Sequence, residues 1–160
     1  MIFVTLGNQN FQFTRLLNQL EISIRNGIIN EQVIAQIGYT EFRSDLFKTI
    51  KFVGKEEFDA FISQSNFVIS HAGTGSIINC LKKGKKVIVA ARQSRFNEHV
   101  DDHQNEILNA FMEKNLIIGL DDDLKNFQEK ILRIEKIELD VFESNNNYFN
   151  KELIKIIDRL

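Results

Sequence analysis

The stretch that decides the fold is Asn66-Phe67-Val68-Ile69-Ser70-His71-Ala72-Gly73-Thr74-Gly75-Ser76-Ile77-Ile78-Asn79-Cys80-Leu81-Lys82-Lys83-Gly84. Its first part is a short apolar run, the pattern of a buried strand. Its last part places Ile77, Ile78 and Leu81 on one face of a helix. Between them lies His-Ala-Gly-Thr-Gly-Ser, a turn with two glycines and two hydroxyls. Glycine lets the backbone bend sharply and lets a ligand approach with no Cβ in the way. The free N–H groups of a helix start, together with the helix dipole, favour an anion at that point. The stretch therefore reads as a phosphate cradle at the carboxyl end of a parallel strand, where open α/β sheets bind ligands. Taken alone, it reads equally as a plain strand-to-helix turn.

Working outward, the same unit recurs. Ile2 to Leu6 reads as a strand closed by Gly7, followed by a polar loop and a helix whose inner face carries Phe11, Leu16, Leu17 and Leu20. Strand two is Gln32 to Ile37 and strand three Thr49 to Val53. A helix over Glu56 to Gln64 turns Phe58, Phe61 and Ile62 inward. Strand four is Phe67 to Ser70, its helix runs from Thr74 to Lys83, and Gly84 ends it. Val87 to Ala91 is strand five. A helix then starts near His99, with Val100, Ile107, Leu108, Phe111 and Met112 on one side. Leu116 to Gly119 is strand six. Asp121, Asp122 and Asp123 read as the cap of a helix containing Leu124, Phe127, Ile131 and Leu132. An amphipathic helix over about 148–160 closes the chain, with Phe149, Leu153, Ile154, Ile156, Ile157 and Leu160 as its stripe. Strands alternating with helices predict an α/β fold, a Rossmann-like parallel sheet covered on both faces. The 160 residues are read as a single domain.

Composition narrows the function classes. A net charge of −2 with no long basic run argues against a nucleic-acid partner. The single cysteine, Cys80, excludes an internal disulfide and a multi-cysteine metal site. The N-terminus has neither the basic start nor the apolar length of a signal peptide, and no apolar run is long enough to span a bilayer, which predicts a cytoplasmic chain.

Chemistry concentrates after strand five, in Arg92-Gln93-Ser94-Arg95-Phe96-Asn97-Glu98-His99-Val100-Asp101-Asp102-His103-Gln104-Asn105. Arginines can pair with a diphosphate, and amides and carboxylates can hold sugar hydroxyls. His99 and His103 are four apart on the expected helix with Asp102 beside them. That spacing could hold zinc, with His71 as a third ligand, but it fits polar ligand binding equally well. A dinucleotide fingerprint fails because Ile78 stands where a third glycine is required. A lysine-bearing phosphate loop and a nucleophile elbow are both absent.

Three segments in order then carry a resemblance: Ser70-His71-Ala72-Gly73-Thr74-Gly75-Ser76, Lys83-Gly84-Lys85-Lys86-Val87-Ile88-Val89, and Asn97-Glu98-His99-Val100-Asp101-Asp102-His103-Gln104. Together with Val4-Thr5-Leu6-Gly7 and Phe13-Thr14-Arg15-Leu16 they resemble the C-terminal, donor-binding domain of the family 28 glycosyltransferases. The chain begins at the first strand of that domain. It is thus similar to the stand-alone small subunits of split transferases, among them PssE-type subunits of bacterial capsule and exopolysaccharide synthesis and the cytosolic subunit of the eukaryotic dolichol-linked N-acetylglucosamine transferase. The Asn97 to Gln104 segment is closest to the bacterial group.

The resemblance implies one half of a GT-B architecture that holds a UDP-sugar and transfers the sugar with inversion, with no metal and no cofactor. A membrane-attached partner subunit would bind the lipid-linked saccharide acceptor, recruit this chain to the inner face of the cell membrane, and supply the general base; His71 and Glu98 are the candidates within this chain. Position by position, Gly7 and Asn8 would line the mouth of the donor cleft. His71, Ala72, Gly73, Thr74, Gly75 and Ser76 would meet the diphosphate and sugar. Asn97, Glu98, His99, Asp102, His103 and Gln104 would contact the sugar or the closing partner, with Arg92 or Arg95 assisting the diphosphate. Two departures stand out: Asn79 where many members carry the glutamate that holds the ribose, and Ala91 in place of a proline. The alternative is a non-catalytic subunit that stabilises or regulates its partner. Alone, the exposed partner face would favour a homodimer.

Overall fold

The computed structural model describes residues 1–144 and 151–155. Six strands, β1 (Ile2–Thr5), β2 (Val33–Gln36), β3 (Lys48–Ile50), β4 (Phe67–His71), β5 (Val87–Ala90) and β6 (Ile118–Gly119), form one sheet in the order β3-β2-β1-β4-β5-β6. Every pairing is parallel, with Val4 beside Ala35 on one side and beside Ile69 on the other. The chain winds outward from β1 to β3, then restarts beside β1 with β4 and winds the other way. This reversal between β1 and β4 leaves a crevice at the carboxyl ends of the central strands.

Helices α1 (Thr14–Arg25), α2 (Lys55–Gln64), α3 (Thr74–Lys82), α4 (His103–Glu113) and α5 (Phe127–Arg133) cover the sheet. Alternation along β1 sorts the core into two layers. Ile2 and Val4 face one layer with Leu16, Leu17 and Leu20 of α1 and Phe127 and Ile131 of α5. Phe3 faces the other with Ile62 of α2, Ile77, Cys80 and Leu81 of α3, and Ile107, Leu108 and Phe111 of α4. Strands buried on both faces explain why β1, β4 and β5 are almost wholly apolar rather than alternating. Phe3 also meets Phe58 edge-on and Phe61 stacked, both with centroids 5.3 Å apart, which seats α2 over β1.

Several boundaries differ from the sequence reading. Phe11 precedes α1, and Phe13 takes the buried place at its start. The helix expected near His99 begins only at His103. A single turn of 3-10 helix (Ser94–Phe96) ends in Asn97 at φ 56°, and this turn displaces the start. Val100 is consequently exposed rather than inward, as is much of Met112. The acidic triplet does not cap a helix with its side chains. Asp121 donates its N–H to Asn126 Oδ1, Asp123 Oδ1 accepts the Lys125 N–H, and α5 starts at Phe127. Leu124 lies in the preceding turn and Leu132 faces outward. Of the expected C-terminal helix, residues 151–155 are helical and Leu153 packs into the second layer. Phe149, Ile156, Ile157 and Leu160 lie outside the described residues. Among the described residues no helix is long and apolar enough to cross a membrane.

Candidate functional site

The glycine-lined bend sits where β4 ends and α3 begins. Gly73 occupies the N-cap position in an extended conformation, and the first intrahelical bond runs from the Ile77 N–H to the Gly73 carbonyl. The N–H groups of Thr74, Gly75 and Ser76 lie in the first turn, where helices carry donors without intrahelical acceptors. A Cβ placed on Gly75 would meet nothing within 4 Å. The bend is open on that side.

The other side is filled by His71. Its ring is buried and lies between two glycines. A Cβ on Gly7 would stand 2.5 Å from His71 Nε2, and a Cβ on Gly73 would overlap the same atom. Gly7 also has φ 74°, a conformation strained for any side chain. Both glycines are therefore required by the neighbouring His71 ring, and Gly7 by its backbone conformation as well. His71 Nδ1 lies 3.3 Å from the Thr5 carbonyl oxygen, which can only accept, so the proton is assigned to Nδ1 and Nε2 keeps its lone pair. Burial first, and the nearby Arg92 guanidinium second, push its pKa down to about 4. His71 is neutral at physiological pH.

A cleft of about 420 Å³ opens beside the bend, within the usual range for small-molecule sites. Thr5, Gly7 and Asn8 line it from the end of β1, and Gln36 from the end of β2. Val53, Lys55 and Phe58 line it from the start of α2, and Gly75, Ser76 and Asn79 from α3. Gln36 holds this floor together. Its Oε1 accepts from Thr5 Oγ1 at 2.7 Å, while its Nε2 donates to the Gly7 and Lys51 carbonyls. At the cleft's far edge, Asn79 Nδ2 donates to Asp59 Oδ1 at 2.8 Å. Two larger concavities lie elsewhere. One, of about 500 Å³, opens at the amino end of β5 around Lys86, Leu116 and Phe142; the other, of about 660 Å³, opens beyond β6 around Met112 and Asp121. Neither receives a bare-glycine helix start.

The loop after β5 is a separate set. Arg92 is 1 % exposed, and its guanidinium donates to four carbonyls: Nη2 to Leu6, and Nη1 to Phe11, Gln12 and Glu98. Nε is buried without a partner, and the cation lies 5.0 Å from the Phe13 ring centroid. Burial lowers the Arg92 pKa to about 10, still charged at neutral pH. The side chain clasps the β1 loop to the β5 loop and does not line the cleft, contrary to the expectation that it faces a diphosphate. Glu98 is buried too. Its carboxylate accepts from Arg15 Nε at 2.8 Å, from Arg15 Nη2 at 3.0 Å and from the Gln93 N–H. Both oxygens are occupied within the chain and Glu98 does not line the cleft, contrary to its expected candidacy as a base. Gln104 is buried with Oε1 on the Arg92 N–H, and Asp102 Oδ1 accepts the Ser94 N–H.

His99 stands outside α4, with its ring 5.5 Å from Phe11 and Nδ1 2.9 Å from Asp101 Oδ1. His103 Nε2 is 3.4 Å from the other oxygen of the same carboxylate. The two histidines therefore share Asp101 without sharing a helical face, contrary to the spacing argument. Among the described residues no group of three or more His, Cys, Asp or Glu is placed to hold a metal. Asn97 and Asp102 are exposed and His99 and His103 half-buried along this ridge, and none of the four lines the cleft. Sequence reasoning missed Thr5, Gln36, Val53, Lys55 and Phe58. Gly54 directly before α2 was the available signal for the α2 residues.

The glycosyltransferase family 28 C-terminal domain matches residues 1–160. The chain belongs to that family. It is 30% identical over 115 residues to the UDP-N-acetylglucosamine transferase subunit ALG13 of Debaryomyces hansenii, covering 72% of this chain and 52% of that protein. A second relative of the same name, from Kluyveromyces lactis, is 32% identical over 92 residues, covering 58% of this chain and 43% of its own length. The chain thus spans about half the length of the curated relatives it matches. In fold it is similar to the solution structure of ALG13, with a TM-score of 0.58 at 20% identity over 96% of this chain and 94% of that one. It is equally similar to the UDP-GlcNAc 2-epimerase of Methanocaldococcus jannaschii solved with UDP-GlcNAc and UDP, with a TM-score of 0.58 at 16% identity over 99% of this chain and 45% of that one. These likenesses establish the fold: a Rossmann-like half of the GT-B type.

Proposed function

We propose that the chain is the donor-binding subunit of an inverting glycosyltransferase, with the nucleoside diphosphate of a UDP-sugar held in the 420 Å³ cleft. The observation that carries this reading is the open N-terminus of α3. It presents first-turn N–H groups and a bare Gly75 to a cleft that also contains Lys55. As the sugar leaves, negative charge grows on the diphosphate. Preorganised backbone donors and the helix dipole meet that charge where it develops. His71 stays neutral behind the bend and supports its shape, with Gly7 and Gly73 packed around it. The general base comes from a second, membrane-attached subunit, which binds a lipid-linked saccharide and draws this chain to the cytoplasmic face of the membrane.

The relatives' names make UDP-N-acetylglucosamine the first donor to test. The Asn97 to Gln104 ridge is the feature that favours a partner of the bacterial surface-polysaccharide type. The ridge faces solvent at Asn97 and Val100, where a closing subunit would meet it. A second reading, a partner-stabilising subunit without donor binding, is favoured by Asn79, which lacks a charge at the cleft.

Titration of the labelled chain with UDP and UDP-sugars, followed by amide chemical shifts, tests the reading. Shifts at Gly7, Asn8, Val53, Gly75, Ser76 and Asn79 are expected. No response to any uridine nucleotide, or shifts confined to the concavities at Leu116 or Asp121, would refute it and favour the second reading. Co-expression with a membrane-attached acceptor-binding subunit is then expected to bring transfer activity that the chain alone lacks, because closure excludes water from the cleft.

A further inference from the structure

Asp59 stands on α2, one hydrogen bond behind the cleft wall. Its Oδ1 accepts from Asn79 Nδ2 at 2.8 Å, across the gap between α2 and α3. A carboxylate has no hydrogen to give, so the amide NH2 of Asn79 must face Asp59. Asn79 itself lines the cleft, and its Oδ1 is left as the free acceptor of that amide. Among the described residues Asp59 forms no ion pair, and its carboxylate polarises the amide from which it accepts. A polarised amide is a stronger acceptor at its far end.

The cleft is thereby divided by chemistry. Gly75, Ser76 and Lys55 present N–H donors and a positive charge, which suit phosphate oxygens. The Asn79 end presents an acceptor backed by a negative charge, which repels phosphate and suits hydroxyl hydrogens. A nucleotide offers both kinds of group, the diphosphate and the ribose diol, in a fixed order along its length. We infer that Asp59 is a positioning residue for ribose recognition. It locks the orientation of the Asn79 amide and lends it charge, so that an asparagine at this place accepts a ribose hydroxyl. This inference rests on the donor-site reading above.

The test compares binding of UDP and 2′-deoxy-UDP to the full chain by calorimetry, with inorganic diphosphate as the phosphate-only probe. The unaltered chain is expected to prefer UDP by about tenfold, the value of one well-made hydrogen bond. In Asp59→Ala the preference falls to within about twofold while diphosphate binding is unchanged. Adding Asn79→Glu to that variant returns a carboxylate to the wall and restores the preference. Asp59→Asn, which keeps the shape and removes the charge, guards against a folding failure of the alanine variant and is expected to give an intermediate preference. A full preference for UDP in both Asp59 variants overturns the inference and leaves the donor site standing. Failure of the unaltered chain to bind UDP at all overturns both.

Discussion

Lowering the pH from 7 to 4 should unlock the packing between β1 and β4 through one side chain. His71 has its pKa held at about 4 in the folded chain, against 6.5 for the free side chain, chiefly by burial and then by Arg92. Between those values the unfolded chain takes up a proton that the folded chain refuses. Folding stability therefore rises with pH across this window and is lost as pH falls from 6.5 towards 4, below which both states are protonated and the loss is complete. The gap corresponds to about 3 kcal/mol, with a limiting slope of about 1.4 kcal/mol per pH unit. That is a large share of the roughly 5–15 kcal/mol by which domains are stable. The Thr5 carbonyl beside Nδ1 offsets part of the penalty, since it accepts a stronger hydrogen bond from the protonated ring.

The assay is urea unfolding at half-unit steps of pH, on the unaltered chain and on His71→Asn. The asparagine variant has lost the titrating group. It is expected to be the less stable of the two at pH 7, because the ring packing against Gly7 and Gly73 is gone, and to close the difference by about 3 kcal/mol as pH falls to 4. The ring resonances of His71 should show no protonation above pH 5. Two parallel stability curves, or a native-state midpoint near 6.5, would refute the reasoning, because either means that the ring is solvated or free to move.

Three further outcomes follow from the packing. Arg92→Met leaves the Leu6, Phe11, Gln12 and Glu98 carbonyls without their donor and should cost about 3–5 kcal/mol in urea unfolding, with Arg92→Lys only partly better; a loss under about 1 kcal/mol would contradict the clasp. Gly73→Ala and Gly75→Ala should part company. The first collides with His71 and loses about 1–3 kcal/mol, whereas the second meets open space and keeps its stability while weakening UDP binding, as thermal melts and calorimetry would show. Cys80 is buried with its thiol pushed up to about 12, so iodoacetamide at pH 8 should label it only after unfolding; rapid labelling of the folded chain would place α3 differently.

Period and punctuation made the repeating βα units legible. Apolar runs closed by Gly7, Gly38 and Gly84 locate strand and helix ends without any distant information, and the order of those units implied a parallel sheet. The bend from Ser70 to Ser76 was visible for the same reason, since a glycine pair between an apolar run and a helical stripe is a local signal. The floor of the cleft was not. Gln36 and Thr5 are separated by 31 residues and Asn79 and Asp59 by 20, and nothing in either neighbourhood announces the other.

The charged loop after β5 shows the division most clearly. The sequence alone determined that Arg92, Glu98 and Gln104 would lie together at a strand end, because they are neighbours in the chain. Only the tertiary structure decided that they point inward, where Arg15, 83 residues from Glu98, completes the ion pair. Local propensity depends on neighbours a few residues away. Whether a polar group faces a ligand or another part of the chain depends on which distant backbone needs a partner once it is buried, and that is settled only when the layers close.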